Sequence, residues 1–341
     1  MSGTSVRIGL SHRRAIIVGA GQAGLAVAAA LISRGLSPQR DFVVVDQSPG
    51  VRSWETRWTS LTLLSDVRHS TLPALSFPSE PQSRPRAREV AAYLGAVEKH
   101  LGIAPMWGVR ATGVRRLGSS ATLLLETSTG SVQTRNVVCA TGANSRPRLP
   151  AWAGDIAPPG RLMHSSAYRS AADVPLGDVL IVGGGNAGAQ IARELSGTHR
   201  VTLAVRNPRR YRHVATFPRA AGPRKRLGSI RPEPLFGDSY AQLQRDGIDI
   251  VPAVVGASDA DVTLADGRRL APASVILATG FLPGDDWLPA EVRDAPLGRT
   301  RTSVPGLFVA GMPGYGHPGS ENLDGVWRDA ATIARHIANR P

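Results

Sequence analysis

A chain of 341 residues, 42% hydrophobic and 19% charged, has the length of about two domains and the composition of an ordinary globular protein. Its formal charge of +14 is almost all arginine, since Lys99 and Lys225 are its only lysines; that balance reads first as an arginine-rich solvated surface and second as local attraction for polyanionic cofactors, and with no zinc spacing, RNP-type aromatics or basic zipper it does not point to nucleic acid. Cys139 is the only cysteine, which excludes an internal disulfide, a CxxC redox pair and a cysteine-rich metal site, and no apolar run reaches the roughly 18 residues of a membrane span. Arg13-Arg14 before an apolar run imitates a twin-arginine export signal, but cleavage there would remove the first glycine motif, so a cytoplasmic location is expected.

In chain order, residues 15–18 predict a short buried strand and residues 25–32 the helix after it, with Gly19, Gly21 and Gly24 at the turn. Residues 42–45 predict the next strand, closing at Asp46. The proline- and serine-rich stretch 48–85 is too long for a simple connection and has the length of a functional loop. A helix begins near residues 83–85, with Val90, Tyr93, Leu94, Val97 and Leu101 at the spacing of a buried stripe. Residues 109–135 predict a small β-meander, and residues 137–140 a strand ending in Ala140, Thr141 and Gly142.

After a proline-rich crossing, residues 179–182 open a second glycine turn, Gly183, Gly185 and Gly188, followed by a strand at 201–205. Residues 206–235 are basic and rich in proline and glycine, which predicts an irregular excursion. Asp266-Gly267 predicts a hairpin between 262–264 and 269–270. Residues 275–278 repeat the strand that ends in Ala-Thr-Gly, here Ala278, Thr279 and Gly280. A strand at 307–310, a glycine-rich turn and a helix from about Gly319 to Ala338 close the chain.

This order describes one nucleotide-binding unit interrupted by a second and then resumed. The expected fold class is α/β: two Rossmann-like dinucleotide-binding domains, the NADP domain inserted into the FAD domain in the glutathione-reductase manner. Residues 1–171 and 282–341, with the meander 109–135, form the expected FAD domain, and residues 172–281 the inserted NADP domain.

Each residue type at the two turns has a chemical reason. Gly19 makes the tight turn, Gly21 lets backbone approach a pyrophosphate, and Gly24 lets helix and strand pack closely, with phosphates at the positive helix end. Gln22, Ala23 and Gln47 share that segment, and Asp46, 22 residues after Gly24, offers a carboxylate to ribose hydroxyls and repels a 2′-phosphate. That site suits FAD or NAD. In the second site Gly183, Gly185, Asn186, Ala187 and Gly188 form the turn, and Arg206, with Arg209 and Arg210, stands where an acid would be. Arginine holds a phosphate through paired charge-assisted bonds, which favours NADPH over NADH.

At these residues the chain resembles the class B flavin monooxygenases, a group that includes flavin-containing monooxygenases, N-hydroxylases and Baeyer–Villiger enzymes, and is most similar to their compact bacterial form. Trp54, Arg57 and Trp58 resemble the family's Trp-x-x-Arg-aromatic segment beside the flavin. Leu72-Pro73 and Phe77-Pro78 resemble the loop after it, and Thr112-x-Val114 the segment touching the FAD adenine. Gly160, His164 and Tyr168 resemble the family's linker motif, although Pro158 replaces its first aromatic. The run 306–311, with Gly319, Ser320, Asp329 and Ala330, resembles the closing FAD segment.

The resemblance implies FAD held by the first turn, Asp46, Gln47, Trp54, Arg57, Val114, Ala140, Thr141, Gly142, Gly311, Gly319 and Ser320. It implies NADPH held by the second turn, Arg206, Thr279, Gly280, His164 and Tyr168, with the histidine in a positional role. Counting from Arg57 puts Leu64 where many members carry a polar flavin-facing residue, so the adjacent Ser65 and Asp66 are the catalytic candidates. The implied reaction inserts one atom of O2 into a small organic substrate (an amine, a sulfide or a carbonyl compound) through a C4a-(hydro)peroxyflavin, with no metal. A terminal helix starting near Gly319-Ser320 would aim its amides at the flavin. A homodimer is compatible with the sequence. Two other readings stay open: a thioredoxin-reductase-like FAD/NADPH reductase serving a protein such as ferredoxin, and a non-catalytic nucleotide-binding sensor.

Overall fold

The computed structural model describes residues 13–118, 121–157, 161–216, 233–296 and 298–339. Two five-stranded parallel sheets dominate it. The first runs, edge to edge, through Leu307–Val309, Asn136–Cys139, Ala15–Val18, Phe42–Asp46 and Met106–Trp107. The second runs through Asp249–Val251, Arg200–Ala204, Asp178–Val182, Ser274–Leu277 and Leu162–His164. Parallel sheets are covered on both faces, so their strands read as continuous apolar runs: Ala15–Val18 and Asn136–Cys139 are buried at every position. The second sheet takes its edge strand from Leu162–His164, ahead of the 172–281 span in which the inserted unit is expected.

Each sheet carries a three-stranded antiparallel excursion. In the first these strands are Ala111–Arg116, Leu123–Thr127 and Gly130–Thr134, and in the second Val254–Ser258, Asp261–Leu264 and Arg269–Leu270. The two units are joined by a short antiparallel pair, Arg146–Pro147 with Phe281–Leu282, which continues directly from the two Ala-Thr-Gly strand ends.

Helix Gln22–Ile32 is alanine-rich, which lets helix Val326–Ala338 lie close against it; Ala23, Ala26, Ala330, Ile333, Ala334 and Ile337 share one core there. Tyr93, in helix Ala87–His100, is buried and donates its hydroxyl to the Leu75 carbonyl (2.6 Å) while accepting from the Leu72 amide (2.8 Å). One side chain thereby fastens the loop before the helix. Cys139 lies at the end of a central strand with no exposed surface, and burial pushes its thiol up to about 12.

The terminal helix departs from expectation. It begins at Val326 rather than near Gly319, and residues 319–325 form turns. The cause is backbone crowding: a Cβ at Gly325 would stand 2.0 Å from the Gly319 carbonyl oxygen, and Gly319 has φ +86°. Ser320 is therefore no helix cap. It is fully buried, and its Oγ accepts from the Gly311 amide (3.0 Å), clamping the two glycine turns of the tail together.

Two cofactor cradles and the cleft between them

At the first turn Gly19 has φ +117°, and a Cβ there would stand 2.3 Å from the Ala140 carbonyl oxygen. A Cβ at Gly24 would stand 1.8 Å from the Gly19 carbonyl oxygen. Both distances are far inside contact, so only glycine lets helix Gln22–Ile32 leave strand Ala15–Val18 at this angle. Gly21 differs: nothing lies within 4 Å of its missing Cβ. The helix has no side-chain cap and no acid in its first turn, so its leading amides face open space with their partial positive charge intact.

Asp46 sits beside this opening. Its carboxylate accepts from the Ala20 amide (2.7 Å) and the Ser48 amide (2.9 Å), and each oxygen retains capacity for a further donor. Asp46→Ala is expected to lower stability by about 2 kcal/mol, because two part-buried amides lose their acceptor. Asp46→Asn, which keeps one acceptor, should lose about half as much, read as the shift of the urea midpoint at constant slope.

The second turn repeats the first almost atom for atom. Gly183 has φ +127°, and its Cβ would stand 2.3 Å from the Ala278 carbonyl oxygen; a Cβ at Gly188 would stand 1.9 Å from the Gly183 carbonyl oxygen. Helix Asn186–Leu195 likewise has no side-chain cap and no acid in its first turn. Thr141 and Thr279 are equivalent as well, Thr141 donating its hydroxyl to Gly284 and Thr279 to Arg148, each across the joining pair of strands. The glycines that follow them match, with φ +83° at Gly142 and +84° at Gly280.

The second turn differs in what covers it. The Arg209 guanidinium rests 3.2 Å from where a Gly185 Cβ would be, directly over the helix opening, held by the Glu233 carbonyl (3.2 Å). Arg206 stands exposed just past the end of strand Arg200–Ala204. Asn186 is engaged by the segment 233–236. Its Oδ1 accepts from the Phe236 amide (2.8 Å) and its Nδ2 donates to the Pro234 carbonyl (3.1 Å) and to Glu233 Oε2 (3.1 Å). The part of the basic stretch at 217–232, and Gly160 of the linker motif, lie outside the described residues.

Between the cradles, Trp54 Nε1 donates to Gln22 Oε1 (2.9 Å), and Gln22 Nε2 donates to the Glu321 carbonyl (3.3 Å). The irregular loop and the tail are thus tied across the mouth of the first cradle. Gly311, φ +75°, presses on Ala23, where a Cβ would stand 2.5 Å from that of the alanine. Val114 is buried in the core beneath the meander, and Gln47 is exposed.

His164 Nε2 donates to the Gly280 carbonyl (3.0 Å), and Nδ1 accepts from the Ser166 amide (3.1 Å). Both ring nitrogens are satisfied in the neutral tautomer. Burial, with help from nearby Arg57, holds the imidazole below its ordinary range. A depressed histidine stabilises the fold above its unfolded value of 6.5, and that contribution is lost as pH falls through the folded value. Stability should therefore decline from about pH 6.5 downward, and His164→Gln should flatten that limb of the urea-midpoint profile.

Tyr168 has another role from the one expected. It has no exposed surface and packs with Trp58, Val179 and Ile191 in the core of the second unit, its ring 6.5 Å from that of Trp58. An aromatic just past the edge strand Leu162–His164 buries the apolar side of helix Asn186–Leu195.

The two catalytic candidates are engaged within their own loop. Ser65 Oγ meets Ser70 Oγ at 2.7 Å. Asp66 accepts from the His69 amide (3.2 Å), His69 Nδ1 (2.7 Å) and Arg68 Nε (3.0 Å). Burial opposes its charge, but the bonds from Arg68 and His69 outweigh that and keep the carboxyl below its ordinary range. Leu64 instead lines a cavity of about 420 Å³ with Ser60, Thr62, Gln190 and Glu194. Sequence spacing could not find this arrangement, because the short 3-10 turn Val67–His69 that captures Asp66 has no periodicity.

The two cradles fit dinucleotides: each offers an uncapped helix end beside backbone that only glycine can form. A family model described as pyridine nucleotide-disulphide oxidoreductase matches residues 16–311. The chain belongs to that family. CzcO of Bacillus subtilis, an oxidoreductase, is 29% identical over 349 residues, which is 94% of this chain and 98% of the relative. A probable indole-3-pyruvate monooxygenase of Arabidopsis thaliana, YUCCA1, is 27% identical over 95% of this chain and 89% of the relative. Among solved structures, the flavin-containing monooxygenase of Stenotrophomonas maltophilia superposes with a TM-score of 0.77 at 25% identity, covering 95% of this chain and 97% of that one. The protein is a flavin-dependent oxidoreductase of the flavin monooxygenase group, and its cofactors are FAD and NADPH. Among the described residues no helix is long and apolar enough to cross a membrane.

Proposed function

We propose that the protein is an FAD- and NADPH-dependent monooxygenase that inserts one oxygen atom from O2 into a small organic substrate. In this reading the sheet built on Ala15–Val18 carries FAD and the sheet built on Asp178–Val182 carries NADPH. The observation that supports it is the joining pair Arg146–Pro147 and Phe281–Leu282, which follows the carboxyl ends of Asn136–Cys139 and Ser274–Leu277, the strands beside the middle strand of each sheet, and so links the two units on the side where their glycine turns lie. Ligands of open α/β sheets bind at such strand ends.

When bound, the two cofactors supply hydride transfer and oxygen activation. The chain supplies position and exclusion of water. Gly21 and the amides after it would receive the FAD pyrophosphate, and Asp46 the ribose hydroxyls. Gly185 and the helix behind it would receive the NADPH pyrophosphate, with Arg209 closing over it and Arg206 reaching the 2′-phosphate. His164 keeps its proton on Nε2, bonded to Gly280, and so fixes the strand end beside the cleft. The Trp54–Gln22–Glu321 chain of bonds would shield the reacting edge from solvent. Ser65 and Asp66 would act by shaping the loop rather than by touching a reacting atom.

The test is reconstitution with FAD followed by NADPH oxidation under 18O2, across amine, sulfide and ketone panels. A product heavier by one labelled oxygen, with NADPH use matched to product, supports the reading. Quantitative hydrogen peroxide with every substrate, or rapid electron passage to ferredoxin, would overturn it.

A further inference from the structure

Arg57 is a half-buried cation without a carboxylate partner among the described residues. Its guanidinium lies 5.2 Å from the centroid of the Phe281 ring, over its face, and its side chain has no hydrogen bond or ion pair among the described residues. Phe281 also meets His164 edge-on, with ring centroids 4.9 Å apart. Arg169 approaches from the linker, where its backbone carbonyl accepts from the Thr59 amide (2.9 Å). One Arg169 nitrogen donates to the Ser166 and Tyr168 carbonyls (2.8 and 3.0 Å), which leaves its other donors without an acceptor among the described residues. Glu194, on the facing helix, bonds Ser60 Oγ instead (2.6 Å). Burial and Arg169 both disfavour the charge on Arg57.

Two arginines near enough to repel each other, with no ion pair to an acid among the described residues, are costly unless an anion completes them. Their place says which anion. Arg57 stands three residues after Trp54, which closes the first cradle, and rests on Phe281, which follows the strand end of the second. The phosphate positions belong to the two uncapped helix ends, where amides already await them. Arg57 instead lies against Phe281, just past the second strand end, and a few residues further its loop lines the cavity of about 420 Å³.

We propose that Arg57 and Arg169 form a receptor for a carboxylate group, so that the organic substrate oxidised in this cleft is a carboxylic acid. The inference rests on the flavin reading above and names the substrate class for that site. A planar carboxylate matches the paired donors of a guanidinium, and the Phe281 ring lies against the face of that guanidinium.

Isothermal titration of FAD-loaded protein with phenylacetate, hexanoate and neutral phenylacetamide tests it, alongside titration with NADP+. The expected result is binding of at least one carboxylate but not of the amide. Arg57→Gln and Arg169→Gln should each weaken that carboxylate about tenfold or more, Arg57→Lys should weaken it less than Arg57→Gln, and the remote, exposed Arg40→Gln should not weaken it. NADP+ affinity should stay within about twofold throughout. Should Arg57→Gln lose FAD, Arg57→Lys and Arg169→Gln carry the comparison. Yellow protein that NADPH reduces, yet that binds neither carboxylate, overturns this inference alone. So does a loss of NADP+ affinity in Arg57→Gln equal to the loss for carboxylate, which would make the anion a cofactor phosphate. Protein that takes up no FAD removes the flavin reading and this inference with it.

Discussion

Replacing Gly24 by valine should yield protein that never turns yellow, whereas Gly188→Val should yield yellow protein that NADPH does not reduce. At each position a first side-chain carbon would be driven to within 2 Å of a backbone oxygen, 1.8 Å at Gly24 and 1.9 Å at Gly188. Neither oxygen belongs to a flexible side chain that can swing aside. Relief requires the helix to retreat from the strand by more than an ångström, which removes its amides from the phosphate position. Overpacking of this kind costs about 1–3 kcal/mol in stability, and the lost anion contacts cost about as much again in affinity. A fall in cofactor affinity of about a hundredfold or more is expected in each case. Flavin content by absorbance and anaerobic reduction by NADPH read the two effects separately. A Gly188→Val protein that loses FAD but still binds NADP+ would reverse the assignment of the two cradles.

Charge reversal at Arg206 should lower kcat/KM for NADPH by about a hundredfold and change that for NADH by no more than about threefold. Charge-assisted bonds to a phosphate are worth about 1.5–3 kcal/mol, and a glutamate adds repulsion where the attraction was. Arg206 stands where the strand Arg200–Ala204 has just ended, the place from which dinucleotide-binding folds read the ribose. Arg209 should behave differently, because its guanidinium covers Gly185 at the helix opening that both nucleotides share. Arg209→Ala is expected to weaken NADPH and NADH alike, by about tenfold. Steady-state rates with the two nucleotides decide the matter. Equal losses for both in Arg206→Glu would exclude it from reading the 2′-phosphate.

Much of this architecture was legible in the sequence because its cause is local. Gly19 and Gly24 are needed for a turn made by their immediate neighbours, and the apolar runs on either side announce a strand before and a helix after. The two Ala-Thr-Gly strand ends were readable for the same reason. What escaped depends on residues far apart. Nothing near Gln22 announces that its amide joins Trp54 to Glu321, some 300 residues on. Tyr168 matched a motif by spacing, but its burial is decided by Trp58 and Ile191. The terminal helix was expected too early because Gly319 and Ser320 look like a helix start. Their conformation is set instead by Gly311 and Gly325. Asp66 was a reasonable candidate by counting, and only the three-residue turn after it shows that its oxygens are occupied.

Cys139, sealed in the central sheet with its thiol held protonated, has a practical consequence. A disulfide reagent such as dithionitrobenzoate can modify it only when the first sheet opens. Because it is the sole sulfhydryl in the chain, the colour released then counts opening events directly, with no second site to subtract. Labelling rates measured with and without FAD would give the ligand's grip on the native state as a ratio, in the untagged protein and at concentrations too dilute for calorimetry.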